Sequence, residues 1–107
     1  MHQCIGREEF AYMLYYIERK LQKNPKEWMQ EYETVRFILK YINLNYETQE
    51  LVRIYARAAC VYGELIPIDD IDDKIHHYKS ALDLQRKYAR VSGIDRLLYG
   101  LICSYKQ

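Results

Sequence analysis

Four carboxylates crowd one short segment, Asp69, Asp70, Asp72 and Asp73, and two adjacent histidines, His76 and His77, follow. Such a cluster could hold a divalent cation. Its spacing lacks the alternating Asp/Asn, the central Gly and the distal Glu of a calcium loop. On a helix, neighbouring side chains point about 100° apart, so the two histidines cannot chelate one metal as an i, i+4 pair can. The carboxylates therefore read as an N-cap and first-turn acids facing a helix dipole. One histidine is expected to face solvent and the other to edge the core. The cysteines, Cys4, Cys60 and Cys103, are odd in number and scattered, with no CxxC spacing. They suit neither a disulfide framework nor a zinc site, and they point to reduced thiols in a cytoplasmic protein. Cys60, between Ala58, Ala59 and Val61, reads as a small packing residue rather than a nucleophile. The chain has no GxSxG, P-loop, GxGxxG or HExxH motif, so no cofactor or metal is expected.

Two basic stripes carry more promise. Arg53 and Arg57 stand i, i+4, with small Ala56 and Cys60 beside them. Planar guanidinium groups over a shallow groove suit bidentate capture of a carboxylate. Glu50 is close enough in sequence to pair with either arginine, and Tyr46 and Tyr88 are expected at the rim. Lys79, Arg86 and Arg90 form the second stripe, with Arg96 just beyond. The expected partner-binding residues are thus Arg53, Arg57, Cys60, Lys79, Arg86 and Arg90.

The elements that must position these residues are helical. The chain has 107 residues, half of them hydrophobic, enough for one core and a single domain over 1–107. Four glycines and two prolines leave little punctuation for a hairpin-rich β fold. Sixteen basic against fifteen acidic residues argue against bulk nucleic-acid or membrane-surface binding. The longest charge-free run, Leu97 to Tyr105, falls far short of the roughly 20 residues of a membrane span. The first residues lack the basic-then-apolar pattern of a signal peptide. Twelve residues are tyrosines, and many are expected at the core margin with their hydroxyls in water.

Periodicity of three and four residues predicts five helices with short connections and antiparallel neighbours. The first runs from about Arg7 to Lys23, with Phe10, Met13, Leu14, Ile17 and Leu21 on one face. Asn24 then serves as an N-cap and Pro25 as the first residue of a second helix reaching about Ile42. Trp28, Tyr32, Val35, Ile38, Leu39 and Ile42 form its inner stripe. A turn is expected over Asn43–Tyr46. The third helix spans about Glu47 or Thr48 to Leu65 and stops before Pro67. The fourth spans about Asp70 to Val91, closed by Gly93 as a C′ glycine, and the fifth Ile94 to Lys106. Leu14, Ile17, Ile38, Leu82 and Leu101 are expected at the centre of the core. Phe37, Tyr41 and Tyr12 lie off the inner stripes and suggest self-association as a homodimer.

The segment Lys74–Leu84 resembles the second helix of a tetratricopeptide repeat, with the family's aromatic, alanine and leucine at Tyr78, Ala81 and Leu82. Tyr55, Ala58, Ala59 and Tyr62 are similar to its first helix, and Tyr16–Pro25 resembles the end of another second helix. The likeness is best over residues 51–84. It implies stacked helical hairpins and a groove lined by Arg53, Ala56, Arg57, Cys60 and Glu64, where carboxylate-binding members carry basic residues. The asparagine those members add is absent; Cys60 stands there. A helical bundle without repeats fits the same pattern.

Three function classes follow. The first is a non-enzymatic protein-interaction module that binds another protein or an acidic peptide segment. It ranges from an adaptor to a small regulator or inhibitor of a larger protein, as phage-encoded inhibitors of host defence are. Abundant tyrosine and arginine, the residues enriched in binding hot spots, favour it. The second is a nucleic-acid-binding regulator using the Lys79–Arg90 face. Four carboxylates at the entry to that helix speak against it. An enzyme is the least favoured.

Overall fold

The computed structural model describes residues 7–45, 49–88 and 93–106, which form five α-helices and one 3-10 turn, with no strand among the described residues. The helices are α1 (Arg7–Lys23), α2 (Trp28–Asn45), α3 (Gln49–Leu65), α4 (Ile71–Lys87) and α5 (Ile94–Tyr105), with the 3-10 turn Pro25–Glu27 between α1 and α2. This is an all-α helical bundle, as the periodicity predicts. Helix α3 is its axis and packs against all four other helices. Its composition allows this: Val52, Tyr55, Ala58, Ala59, Cys60, Val61 and Tyr62 are all buried, so apolar and small residues run nearly all round it.

The punctuation follows the sequence with three corrections. Pro25 opens the 3-10 turn, but Asn24 makes no side-chain capping bond; its backbone carbonyl accepts from the N–H of Glu27 at 3.0 Å. Helix α2 does not turn at Asn43 but continues through Asn45, because the modest helix penalty of asparagine yields to an apolar stripe that already anchors the helix. Tyr46, Glu47 and Thr48 lie outside the described residues. Helix α4 ends at Lys87, with Tyr88 as its C-cap, short of the expected Val91; residues 89–92 lie outside the described residues. Gly93 is left-handed at φ 82°, and its carbonyl accepts from Leu97 N–H to open α5.

The α3–α4 loop is held by a buried lysine. Lys74 donates from Nζ to the Ile66 carbonyl at 2.7 Å, and its ammonium lies 5.8 Å from the Tyr62 ring centre. Burial pushes its pKa down. Proline at 67 leaves carbonyls at the end of α3 without helical partners, and the lysine serves one of them.

Phe10, Leu14, Ile17, Leu21, Val35, Ile38, Leu39, Ile42 and Leu82 are buried as expected. Leu101 is not: it is only half-buried, and Leu97 occupies the central position of α5. The reason is a close approach. The Tyr78 ring from α4, 1 % exposed, is wedged against Gly63 of α3 and Gly100 of α5, and a Cβ at either glycine would overlap it. That contact sets the rotation of α5, turning Leu97, Gly100 and Ser104 inward.

The described tyrosines divide into three groups. Tyr55, Tyr62 and Tyr78 are buried in the core, Tyr32, Tyr41 and Tyr88 sit half-buried at its margin, and Tyr12, Tyr15, Tyr16, Tyr99 and Tyr105 are exposed. Phe37 is exposed at its edge yet sits in an aromatic cluster with Phe10 and Tyr41, with centroids 5.2 to 6.5 Å apart.

Candidate functional site

Arg53, Ala56, Arg57 and Cys60 do line one open cleft, of about 180 Å³, completed by Gln85, Gly93 and Arg96. Its guanidinium groups are largely committed within the chain. Arg57 Nε donates to Glu18 Oε1 of α1 at 3.2 Å. Arg96 of α5 donates from Nε and Nη2 to both carboxylate oxygens of Glu64, at 2.9 and 3.0 Å, and from Nη2 to Glu18 Oε2 at 3.1 Å. The fork-to-fork contact with Glu64 raises the Arg96 pKa further. These four residues tie α1, α3 and α5 together at one end of the cleft. Arg53 is exposed and pairs with no described residue. The Cys60 thiol is buried, and burial raises its pKa to about 12, so it floors the cleft as a neutral group. The Glu50 side chain and Tyr46 lie outside the described residues, and Tyr88 is half-buried.

Of the second stripe, neither Lys79 nor Arg86 lines this cleft. Lys79 is exposed, with its Nζ 5.5 Å from the Tyr105 ring centre of α5. Arg86 is exposed on α4, and Arg90 lies outside the described residues. Glu18 was not singled out, and Arg96 was read only as lying just beyond the second stripe; their contacts join segments far apart in the chain, which local spacing does not reveal.

The acid–histidine segment forms a closed network. Asp70 caps α4, accepting from Asp73 N–H at 3.1 Å. Tyr62 donates to Asp73 Oδ2 at 2.6 Å, and Tyr55 Oη lies 2.9 Å from His77 Nδ1. His77 Nε2 faces Asp73 Oδ1 at 3.7 Å. Tyr62, Asp73 and His77 line a groove of about 600 Å³ with Glu33, Arg36, Lys40 and His76. Both imidazole nitrogens are thus turned to protein groups, so the network serves cohesion better than proton transfer to a ligand. No group of three or more His, Cys, Asp or Glu among the described residues is placed to hold a metal ion.

Burial lowers the His77 pKa, with Asp73 opposing and His76 and Arg36 reinforcing. Above the ordinary histidine pKa, about 6.5, the ring is neutral in both states and its contribution is complete. As pH falls below that value the unfolded chain takes up the proton first, and stability is lost through the folded-state pKa. The urea midpoint is expected to fall between about pH 7.5 and about pH 5.5, and to fall less in His77→Gln. Equal falls in the two proteins would contradict this.

The outer face of α1 is open to solvent. Tyr12, Tyr15, Tyr16, Arg19 and Lys23 recur at three- and four-residue spacing opposite the buried stripe. The tyrosines are 76, 51 and 62 % exposed. With Lys20, Asn24 and Glu27 they line a groove of about 670 Å³. Arg19 stacks 5.7 Å from the Tyr15 ring centre and donates to its hydroxyl at 3.4 Å. Lys20 is partly spent on Glu31 of α2, at 2.8 Å, while Lys23 is exposed and pairs with no described residue. This second stripe was legible: the same spacing that marks Phe10 to Leu21 marks Tyr12 to Lys23 on the opposite side.

Fold and surface together describe an all-α bundle presenting an aromatic, basic groove. No family model, curated protein or solved structure matches the chain. No helix of the described residues is long and apolar enough to cross a membrane.

Proposed function

We propose that this chain is a non-enzymatic, cytoplasmic interaction module, an adaptor or small regulator, and that the α1 groove binds an acidic segment of another protein. One observation carries the reading. Three large tyrosine rings stand in solvent on one helix face with Arg19 and Lys23 among them. Exposing so much aromatic surface is unfavourable unless a partner covers it. Tyrosine and arginine lose little side-chain freedom on binding for the area they offer, which is why they dominate hot spots. The cations select a carboxylate-bearing segment. The Arg53–Arg57 cleft is the less favourable place for that segment, since Glu18 and Glu64 already engage Arg57 and Arg96, two of its three arginines.

Aromatic rings interleaved with basic residues also suit single-stranded nucleic acid. Affinity for nucleic acid rests on many phosphate contacts, and here Lys20 is spent on Glu31 while Glu27 adds a negative charge to the groove. The test is a random peptide display library selected against the wild-type chain, beside a labelled oligothymidylate titrated at two salt concentrations. Enrichment of Asp- and Glu-containing peptides that fail to bind Tyr16→Ala/Arg19→Glu supports the proposal. Oligonucleotide binding that is steep in salt and lost in the same variant overturns it, as does selection indifferent to the variant.

A further inference from the structure

The outer face of α5 has a symmetry that its packing within the chain does not use. Leu97, Gly100 and Ser104 point inward, and the opposite side presents Asp95, Leu98, Tyr99, Ile102, Tyr105 and Lys106, all exposed. Leu98 is 39 % and Ile102 52 % exposed, so this is apolar surface in water. Asp95 opens the strip and Lys106 closes it, about three turns apart and nearly on one line of the helix. Neither charge pairs with a described residue, although Arg96 beside Asp95 is fully engaged by Glu64 and Glu18.

From these positions we infer that α5 is a self-complementary docking face, and that its occupant is α5 of a second copy lying antiparallel. A two-fold axis placed between Gly100 and Leu101 sets Asp95 against Lys106 of the second copy. The same register sets Tyr99 against Ile102 of the second copy, with no shift. Each contact occurs twice, as an isologous interface requires. Charge complementarity therefore selects both the occupant and its direction: a parallel pairing would place Asp95 against Asp95 and Lys106 against Lys106. Antiparallel helices also place opposite dipole ends together. At the Lys106 end, Lys79 lies over Tyr105 and adds a second cation facing the incoming carboxylate. The Tyr78 wedge at Gly100 fixes the rotation of α5, so the strip is presented without rearrangement. This surface is separate from the α1 groove and does not depend on the proposed function.

Helix α5 has 12 residues, so an interface along it alone is at the small end of specific contacts, and the dimer forms at high micromolar concentration. Sedimentation equilibrium at low ionic strength tests it with four samples: wild type, the single reversals Asp95→Lys and Lys106→Asp, and the equimolar mixture of the two reversals. The wild type dimerises. Each reversal creates two like-charge contacts by symmetry and raises the dissociation constant about tenfold. The mixture restores association, because a heterodimer of the two variants again opposes lysine to aspartate at both ends. Recovery in the mixture also shows that both variants are folded. A wild type that stays monomeric at about 1 mM overturns the inference, as do reversals without effect or a mixture that associates no better than either variant alone.

Discussion

Tyr78→Ala is expected to destabilise the protein by about 3–5 kcal/mol, the range for deleting a fully buried aromatic side chain. The ring is 1 % exposed and supplies the nearest atoms to the positions that a Cβ would take at both Gly63 and Gly100. Its loss leaves a cavity where α3, α4 and α5 meet. Gly100→Ala provides the sharper form of the same prediction. In an isolated helix this change would gain about 1 kcal/mol from helix propensity. Here the added methyl meets the Tyr78 ring, and overpacking costs about 1–3 kcal/mol, so the variant is expected to lose stability. In a Tyr78→Ala background the clash is gone, and the same glycine-to-alanine change is expected to stabilise by about 1 kcal/mol. Urea unfolding of the four proteins of this double-mutant cycle checks the reversal of sign. If Gly100→Ala has the same effect in both backgrounds, the ring is not the wedge described.

Tyr15→Ala combined with Tyr16→Ala is expected to weaken binding of an acidic peptide selected on the wild type by about 2 kcal/mol or more, roughly 30-fold. Arg19→Ala should add to the loss, since its guanidinium stacks on Tyr15 and is the cation nearest the rings. The fold should be untouched, because the two tyrosines are 51 and 62 % exposed and the core side of α1 is separate. Isothermal titration with circular dichroism on the same samples checks both halves. The Arg53 and Arg57 side provides the contrast. Arg57→Ala removes the Arg57–Glu18 pair, whose arginine side chain is 43 % exposed, so its stability cost should be about 1 kcal/mol or less. It should leave peptide affinity unchanged.

Helix existence and the buried stripes were legible because they depend on local periodicity. Helix α1 begins at Arg7 and ends at Lys23 in both readings, and the α4 acids serve as cap and first-turn residues. What failed depends on non-local contacts. Helix α5 is apolar almost all round, with Leu97, Leu98, Tyr99, Leu101 and Ile102 in sequence. Periodicity could not choose its inner face; the fit of Tyr78 against Gly100 does, and it turns Leu101 to the margin. The cleft beside Arg53 and Arg57 was correctly placed on α3, but Glu18 and Arg96 reach it from α1 and α5. Those two residues convert much of a presumed binding surface into an internal clip. On α1 the spacing sets Tyr12 off the inner stripe, but Tyr15 and Tyr16 join it in a second stripe, and only the packing shows that these rings stand exposed.

The proposed function is tested most directly by mapping where a peptide lands. Two-dimensional amide NMR of the labelled chain, titrated with an acidic peptide from the display selection, reports every surface at once. Shifts are predicted at Tyr12, Tyr15, Tyr16, Arg19 and Lys23, with Arg53, Arg57 and Arg96 unchanged. Shifts centred on the Arg53–Arg57 cleft, with the α1 face silent, would contradict the account.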